Sequence, residues 1–292
     1  MIRLIRLYFK TLSAIAPSIA GSHAFELFQR TGKKGIRKNE NRFYNMSRHF
    51  KVSHHLEEID CYEMGNSESP MVLLVHGWDS NAGSMGGIAF ELVEQGYFVV
   101  AFNLPAHGFS KLKKANIKTC REYFLAVTEK IYPNKPFSVI AHSFGSAVTT
   151  FALEDSRFEV DKLVFLTNPN KFHVFFEEFR DFIQLGGRAF ATTVQKAETL
   201  IERPINEMNI EDVSKQIKYN RLLLIHDKVD KVLPYKNSIA VQEKWENTQL
   251  LTIEKIGHYR MLWNEHVINS IVKFLEPNHF LDLKATDDRI AS

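Results

Sequence analysis

The sequence predicts an α/β protein with a mostly parallel central sheet of about eight strands, helices on both faces and an inserted α-helical cap. Three observations predict it. Short continuous apolar runs, such as Met71 to Val75 and Phe137 to Ala141, read as strands buried on both faces. They alternate with helix-length stretches, around Ser84 to Gln95 and from Ile117 to Ile131, and that alternation is the pattern of a parallel sheet covered on both sides. The alternation then stops for some fifty residues, from Asn168 to about Tyr219, where the apolar residues keep helical spacing.

Taken in order, the chain opens with Ile2, Ile5, Phe9, Leu12, Ala16 and Ile19 three or four apart, an apolar stripe with the basic residues largely off it, which predicts one helix packed on its own domain. Arg3, Arg6 and Lys10 ahead of the uncharged run Thr11 to Phe25 imitate a secretory signal, but that run is too polar and too short for a membrane span and is a poor apolar region for a signal, so a cleaved signal is the less favoured reading. Contact of this helix with a membrane interface is the alternative reading. The basic stretch Arg30 to Arg42 reads as a loop. His49 to Ser53 and Leu56 to Tyr62 follow as an antiparallel pair, and Asn66 to Pro70 turns the chain into the buried strand Met71 to Val75.

After the helix around Ser84 to Gln95 come a strand at Tyr97 to Phe102, a helix from Ile117 to Ile131 stopped at Pro133-Asn134, the strand Phe137 to Ala141 and another at Lys162 to Thr167. In the gap, Phe175, Phe176, Phe179, Phe182 and Ile183, then Ala189 to Ile201, then Ile210 to Ile217 predict three helices. The sheet resumes with Arg221 to Ile225, a helix from Lys236 to Trp245, a strand at Gln249 to Ile253 and a last helix from Glu265 to Leu275; the stretch after Pro277 carries no signal. The chain thus divides into an N-terminal helical and basic extension (1–48), a core in two parts (49–168 and 220–278) and a helical cap (169–219).

Composition excludes some functions. With 37 basic against 34 acidic residues and no basic stripe interleaved with aromatics, nucleic acid is not an expected partner. Cys61 and Cys120 show neither metal-ligand spacing nor a disulfide framework, which fits a reducing, cytoplasmic setting.

The chemistry centres on Ser143. In FSVIAHSFGSAV (137–148) an apolar strand stops at His142-Ser143-Phe144-Gly145 and a small-residue helix starts at once. Small residues flank the serine two positions away on each side, Ala141 and Gly145, as a tight strand-to-helix reversal requires. Such a nucleophile elbow lifts a serine hydroxyl above the sheet and aims the next amide at the same spot. The bland alternative is a serine capping the helix after a buried strand. Attack on an acyl carbon also needs a base and an orienter for it, and the order expected on this architecture is serine, acid, histidine. Asp230, in HDKVDKVLP (226–234), and His258, in IGHYRML (256–262), fall in that order, each just after a strand. Asp227 is the rival acid; His107, His142 and His226 are rival bases. His142 neighbours the serine, so its ring should point elsewhere, while Gly257 permits a backbone that folds the His258 imidazole inward. His76-Gly77-Trp78 ends the buried strand where a second oxyanion donor belongs, which assigns that role to the Trp78 N–H beside the Phe144 N–H, with His76 hydrogen-bonding inside the turn.

Together HGW (76–78), NLPAHGFS (103–110), AHSFG (141–145), HDKVDKVLP and IGHYRML, five motifs in order between about Val72 and Leu275, make the chain resemble the α/β-hydrolase superfamily, in particular serine hydrolases of the esterase and lipase kind with a helical cap. The departures are Ala141 where glycine is usual, Asn103 where aspartate is common and Asp227 where glycine is common. The resemblance implies the α/β-hydrolase fold, a Ser143–His258–Asp230 triad, an oxyanion hole of Trp78 and Phe144 amides, no metal and no organic cofactor, and a carboxylic ester or thioester as small-molecule substrate. His76, Trp78, His142, Phe144, Phe175 and Phe179 are the pocket candidates, although the phenylalanine stripe also reads as cap core. Ser143 argues against dehalogenase and epoxide-hydrolase schemes, which use an aspartate nucleophile. Two other functions remain open: a non-catalytic α/β-hydrolase-fold binding protein, and a lipid hydrolase recruited to a membrane surface by the N-terminal helix.

Overall fold

The computed structural model describes residues 2–32, 35–55, 57–131, 136–154 and 156–277. Eight strands form one sheet: β1 (Arg48–His54), β2 (Glu57–Met64), β3 (Met71–Val75), β4 (Phe98–Phe102), β5 (Phe137–His142), β6 (Glu159–Leu166), β7 (Lys218–Asp227) and β8 (Thr248–Ile253). Their spatial order is β1-β2-β4-β3-β5-β6-β7-β8. β1 pairs antiparallel with β2, and β2 with β4. Every later pair is parallel.

The continuous apolar runs are explained by two separate cores. Along β3, Met71, Leu73 and Val75 enter the core on one face, while Val72 and Leu74 enter the core on the other. Alternate side chains point to opposite faces, so a strand with no polar alternation must be covered twice. Helices α5 (Ile117–Ile131), α6 (Phe144–Leu153) and α9 (Lys236–Lys244) cover the first face, and α3 (Lys38–Met46), α4 (Gly86–Glu94) and α10 (Glu265–Leu275) the second. Each fully buried leucine contributes roughly 1.5–3 kcal/mol by leaving water.

Between β6 and β7 stand α7 (Phe172–Ile183) and α8 (Gly187–Ile201), and against them pack α1 (Ile2–Ile15) and α2 (Pro17–Phe28). The expected single N-terminal helix is two. Pro17 disfavours helical backbone at the residue before it, and Ala16 sits at φ −142°, ψ 71°, with Pro17 starting the next helix. The predicted stripe is therefore cut: Phe9 is buried, but Ile19, beyond the break, is exposed.

Three further expectations are corrected. The basic stretch ending at Arg42 is not all loop: α3 starts at Lys38, where Glu40 accepts a hydrogen bond from the Arg37 amide (2.8 Å) and Phe43 is fully buried. The third cap helix is absent; 205–216 forms short 3-10 turns at Ile205–Glu207, Ile210–Asp212 and Ser214–Gln216. β7 begins earlier than Arg221, at Lys218. Leu56 and the helix stop at Pro133-Asn134 lie outside the described residues.

Candidate active site

The serine sits on the sharp reversal between β5 and α6. Ser143 has φ 53° and ψ −123°, a strained backbone for a residue with a side chain. Its amide donates to the Leu166 carbonyl (2.9 Å), which fastens the reversal to the neighbouring strand. Gly145 is required by close approach: a methyl group there would stand 2.5 Å from the Val75 carbonyl oxygen. The usual glycine at 141 is dispensable, because Ala141 is accommodated as one more buried apolar side chain of β5.

Asp230 and His258 come to the same end of the sheet from the loops after β7 and β8. His258 Nε2 lies 3.0 Å from Ser143 Oγ, and His258 Nδ1 lies 2.8 Å from Asp230 Oδ2. With Nδ1–H given to the carboxylate, Nε2 is left as acceptor for the serine proton. The Asp230 carboxylate is shielded from solvent. Burial alone pushes its carboxyl up, but the hydrogen bonds it accepts from His258, Thr167 and the Val232 amide outweigh that and hold it well below the usual carboxylate range.

Thr167 is a contact that the sequence motifs do not flag. Its hydroxyl donates to the same Asp230 oxygen at 2.6 Å, and its backbone sits at φ 52°. A β-branched residue rarely adopts that conformation. No motif marks it; the only clue is a hydroxyl at the end of β6, beside the site.

The rivals have other partners. Asp227 accepts from the amides of Gly257 (2.6 Å), Val229 (3.0 Å) and Lys255 (3.2 Å), so its carboxylate clamps the loop that carries His258. Gly257, at φ 89°, gives that loop its bend. His142 points away from the serine, its Nε2 2.8 Å from the His258 carbonyl. His107 Nδ1 meets the Pro105 carbonyl (2.7 Å), and His226 meets Ser238 Oγ and the Leu233 carbonyl (2.7 and 3.0 Å). His76 is a turn residue: Nδ1–H donates to the Gly77 carbonyl (2.8 Å), and Nε2 accepts from the Leu104 amide (3.0 Å). Asn103 likewise serves the fold, accepting from the Ala82 amide at 2.9 Å.

Above the serine is a cavity of about 330 Å³, lined on its floor by Ser143, Phe144, Trp78 and His258 and on its walls by Phe172, Phe175 and Phe176 of α7, Leu200 and Ile201 of α8, and Phe25 and Phe28 of α2. Such a volume and an apolar lining suit a small organic ligand. Of the six pocket candidates, Trp78, Phe144 and Phe175 line it. His76 and His142 do not, because each is buried with its ring turned to a backbone carbonyl, and Phe179 packs outside the cavity, its ring 5.1 Å from Phe28. The α2 wall was not foreseen, since it depends on helices far apart in the chain coming together. Phe144 N–H is the first of α6, and amides in the first turn of a helix have no intrahelical acceptor. Trp78 meets Phe144 edge to face at 5.2 Å. Among the described residues no group of His, Cys, Asp or Glu stands together as metal ligands would.

Comparison with known proteins gives the same architecture. The model of the alpha/beta hydrolase fold family matches residues 70–204. The human serine hydrolase-like protein is 29% identical over 108 residues, 36% of this chain and 53% of the relative. Human serine hydrolase-like protein 2 is 29% identical over 108 residues, covering 36% of this chain and 34% of its own. The matches thus span from a third to about half the length of these relatives. Among solved structures, the Pyrococcus furiosus esterase Pf2001 superposes with a TM-score of 0.64 at 19% identity, over 84% of this chain and 98% of that one. A bacterial membrane phospholipase A superposes at 0.62 with 20% identity, over 94% and 98%. The parallel sheet, the serine on its strained reversal and the family model matched over residues 70–204 lead to one conclusion: this chain has the α/β-hydrolase fold.

Proposed function

We propose that this protein hydrolyses a carboxylic ester or thioester with an apolar acyl group, through an acyl-enzyme on Ser143. The observation that carries the reading is the unbroken relay from Ser143 Oγ through His258 to Asp230, at the floor of an apolar cavity. Ser143 Oγ bonds to the acyl carbon as its proton passes to His258 Nε2, and the carbonyl electrons move onto oxygen, facing the Trp78 and Phe144 amides. Collapse breaks the bond to the alkoxide or thiolate, which takes the proton from His258. Water then repeats the sequence on the acyl-enzyme, releasing the acid and restoring Ser143. Asp230 holds the imidazole in the tautomer required and stabilises its charged form. The esterase and phospholipase among the structural neighbours point the same way.

A fluorophosphonate probe tests the nucleophile. Labelling of the wild type at one site, absent in Ser143→Ala, is the expected result; an unlabelled wild type would instead favour a binding protein on a hydrolase fold. Activated esters graded from acetate to dodecanoate test the pocket, with kcat/KM expected to rise with chain length and then fall once the cavity of about 330 Å³ is full. A flat series would show that the cavity does not hold the acyl group.

Thr167 is assigned a positioning role. A hydrogen bond to a charged group contributes about 1.5–3 kcal/mol. Thr167→Val, which keeps the shape and removes the hydroxyl, is expected to lower kcat about tenfold with little change in KM and to move the acid limb of the pH–rate profile, while Thr167→Ser restores both. An unchanged pH profile would leave Thr167 a packing residue only.

A further inference from the structure

α1 carries two apolar faces, and only one is used by the fold. At 3.6 residues per turn, Ile5, Phe9 and Leu12 fall on one side and pack onto the α7–α8 insertion. Leu4, Leu7, Tyr8, Thr11, Ala14 and Ile15 fall together on another side, all exposed, with Leu4 71% and Ile15 77% open to solvent. Between the two faces runs a basic stripe of Arg3, Arg6 and Lys10. Arg6 is tied to α7 by donating from Nε to the Phe182 carbonyl (2.8 Å), while Arg3 and Lys10 are exposed. No Asp or Glu occurs before Glu26, and that carboxylate is engaged by Lys114.

The exposed face is not a loosely held end. α2 lies against α8 through Ala20 and Ala24 on Ala189, with Thr193 Oγ1 donating to the Gly21 carbonyl (3.1 Å). The chain just after it is stitched to the core by Ala115 N–H to the Gln29 carbonyl (2.9 Å) and Thr31 Oγ1 to the Ala106 carbonyl (2.7 Å). An apolar strip held in place and exposed to water marks a contact surface.

We propose that this face of α1 docks on an anionic lipid bilayer, lying in the interface with Leu4, Leu7 and Ile15 among the acyl chains and Arg3 and Lys10 at the headgroups. Charge selects this occupant. Two copies meeting face to face would bring their basic stripes together with no carboxylate on α1 to offset them, whereas anionic headgroups satisfy the stripe and the adjoining hydrocarbon takes up the leucines. At 14 residues α1 is well short of the ~20 needed to span, so it lies on the surface rather than crossing it. The inference does not depend on the hydrolytic reading, because partition into vesicles requires no catalysis.

The test is co-sedimentation of the full chain with vesicles of phosphatidylcholine alone and of phosphatidylcholine with phosphatidylglycerol, alongside gel filtration with light scattering. The wild type is expected to sediment with the anionic vesicles, weakly with the neutral ones, and less as salt is raised. Leu4→Ser/Leu7→Ser/Ile15→Ser and Arg3→Glu/Lys10→Glu are each expected to lower the bound fraction at least tenfold while hydrolysis of a soluble ester stays at the wild-type level. A wild type that stays in the supernatant with anionic vesicles overturns the proposal, as does equal binding to both kinds of vesicle. A dimer that the triple serine variant converts to monomer, without vesicle binding by either, assigns the face to a second copy instead.

Discussion

Replacing Asp230 by asparagine is expected to lower kcat for an activated ester by about 10⁴-fold while leaving KM within a few fold, and His258→Ala is expected to lose at least as much. The reason lies in the proton on His258. With a carboxylate 2.8 Å from Nδ1, that nitrogen holds the proton and Nε2 faces Ser143 as acceptor. An amide at 230 can present its NH₂ to the ring, favour the other tautomer and turn Nε2–H toward the hydroxyl it should deprotonate. Asp227→Asn provides the contrast. Asp227 accepts two amide hydrogen bonds from the His258 loop and one from Val229 in its own turn, and bonds to neither serine nor imidazole, so its loss should appear first in melting temperature. Stopped-flow kinetics with a nitrophenyl ester separate the two, and an Asp230→Asn enzyme within tenfold of wild type would remove Asp230 from the mechanism.

The melting temperature is expected to fall by roughly 10 °C or more between pH 7 and pH 5, well before carboxylates protonate. Burial lowers the pKa of His76, His107, His142 and His226; at His142, where the nearby His258 adds repulsion, it falls to about 3. These rings stay neutral in the fold, whereas in the unfolded chain each takes a proton near ~6.5. A lowered histidine pKa therefore gives stability that is full above about 6.5 and drains away as pH falls toward the folded value. In the limit a ring that stays neutral in the fold costs about 1.4 kcal/mol per pH unit below ~6.5, a slope that matters against a typical total of 5–15. Asp230 works in a separate window: its depressed carboxyl stabilises the fold above the unfolded value near ~3.9, and that contribution goes only below it. Melts followed by circular dichroism across pH 4.5–8 measure the slope. His142→Gln, which keeps a donor for the His258 carbonyl and cannot titrate, should flatten it measurably. A melting temperature level from pH 7 to pH 5 would contradict the burial of these rings as neutral species.

Much of this was legible in the sequence, and what was missed has local causes. The inner strands β3, β4 and β5 announced themselves because strands covered on both faces need unbroken apolar runs, β1 and β2 because polar and apolar residues mix along them, and the helix Ile117–Ile131 because its stripe is regular. α3 was hidden because Lys38 to Arg42 is almost wholly polar and only Phe43 enters the core. Ile210, Val213 and Ile217 keep helical spacing, yet they anchor short 3-10 turns, since spacing alone does not distinguish the two. The site residues that were foreseen sit at strand ends, where topology alone brings them together. Phe25, Phe28 and Phe176 were not foreseen as cavity walls, because which ring of an aromatic stripe faces a cavity depends on the tilt of one helix on another.

One consequence follows from Phe25 and Phe28 walling the cavity. Part of the cavity's shape is set by a helix of the N-terminal pair, outside the sheet and remote in sequence from the serine, the imidazole and the carboxylate. Changing those two rings therefore alters which molecules fit without touching any side chain of the Ser143–His258–Asp230 relay.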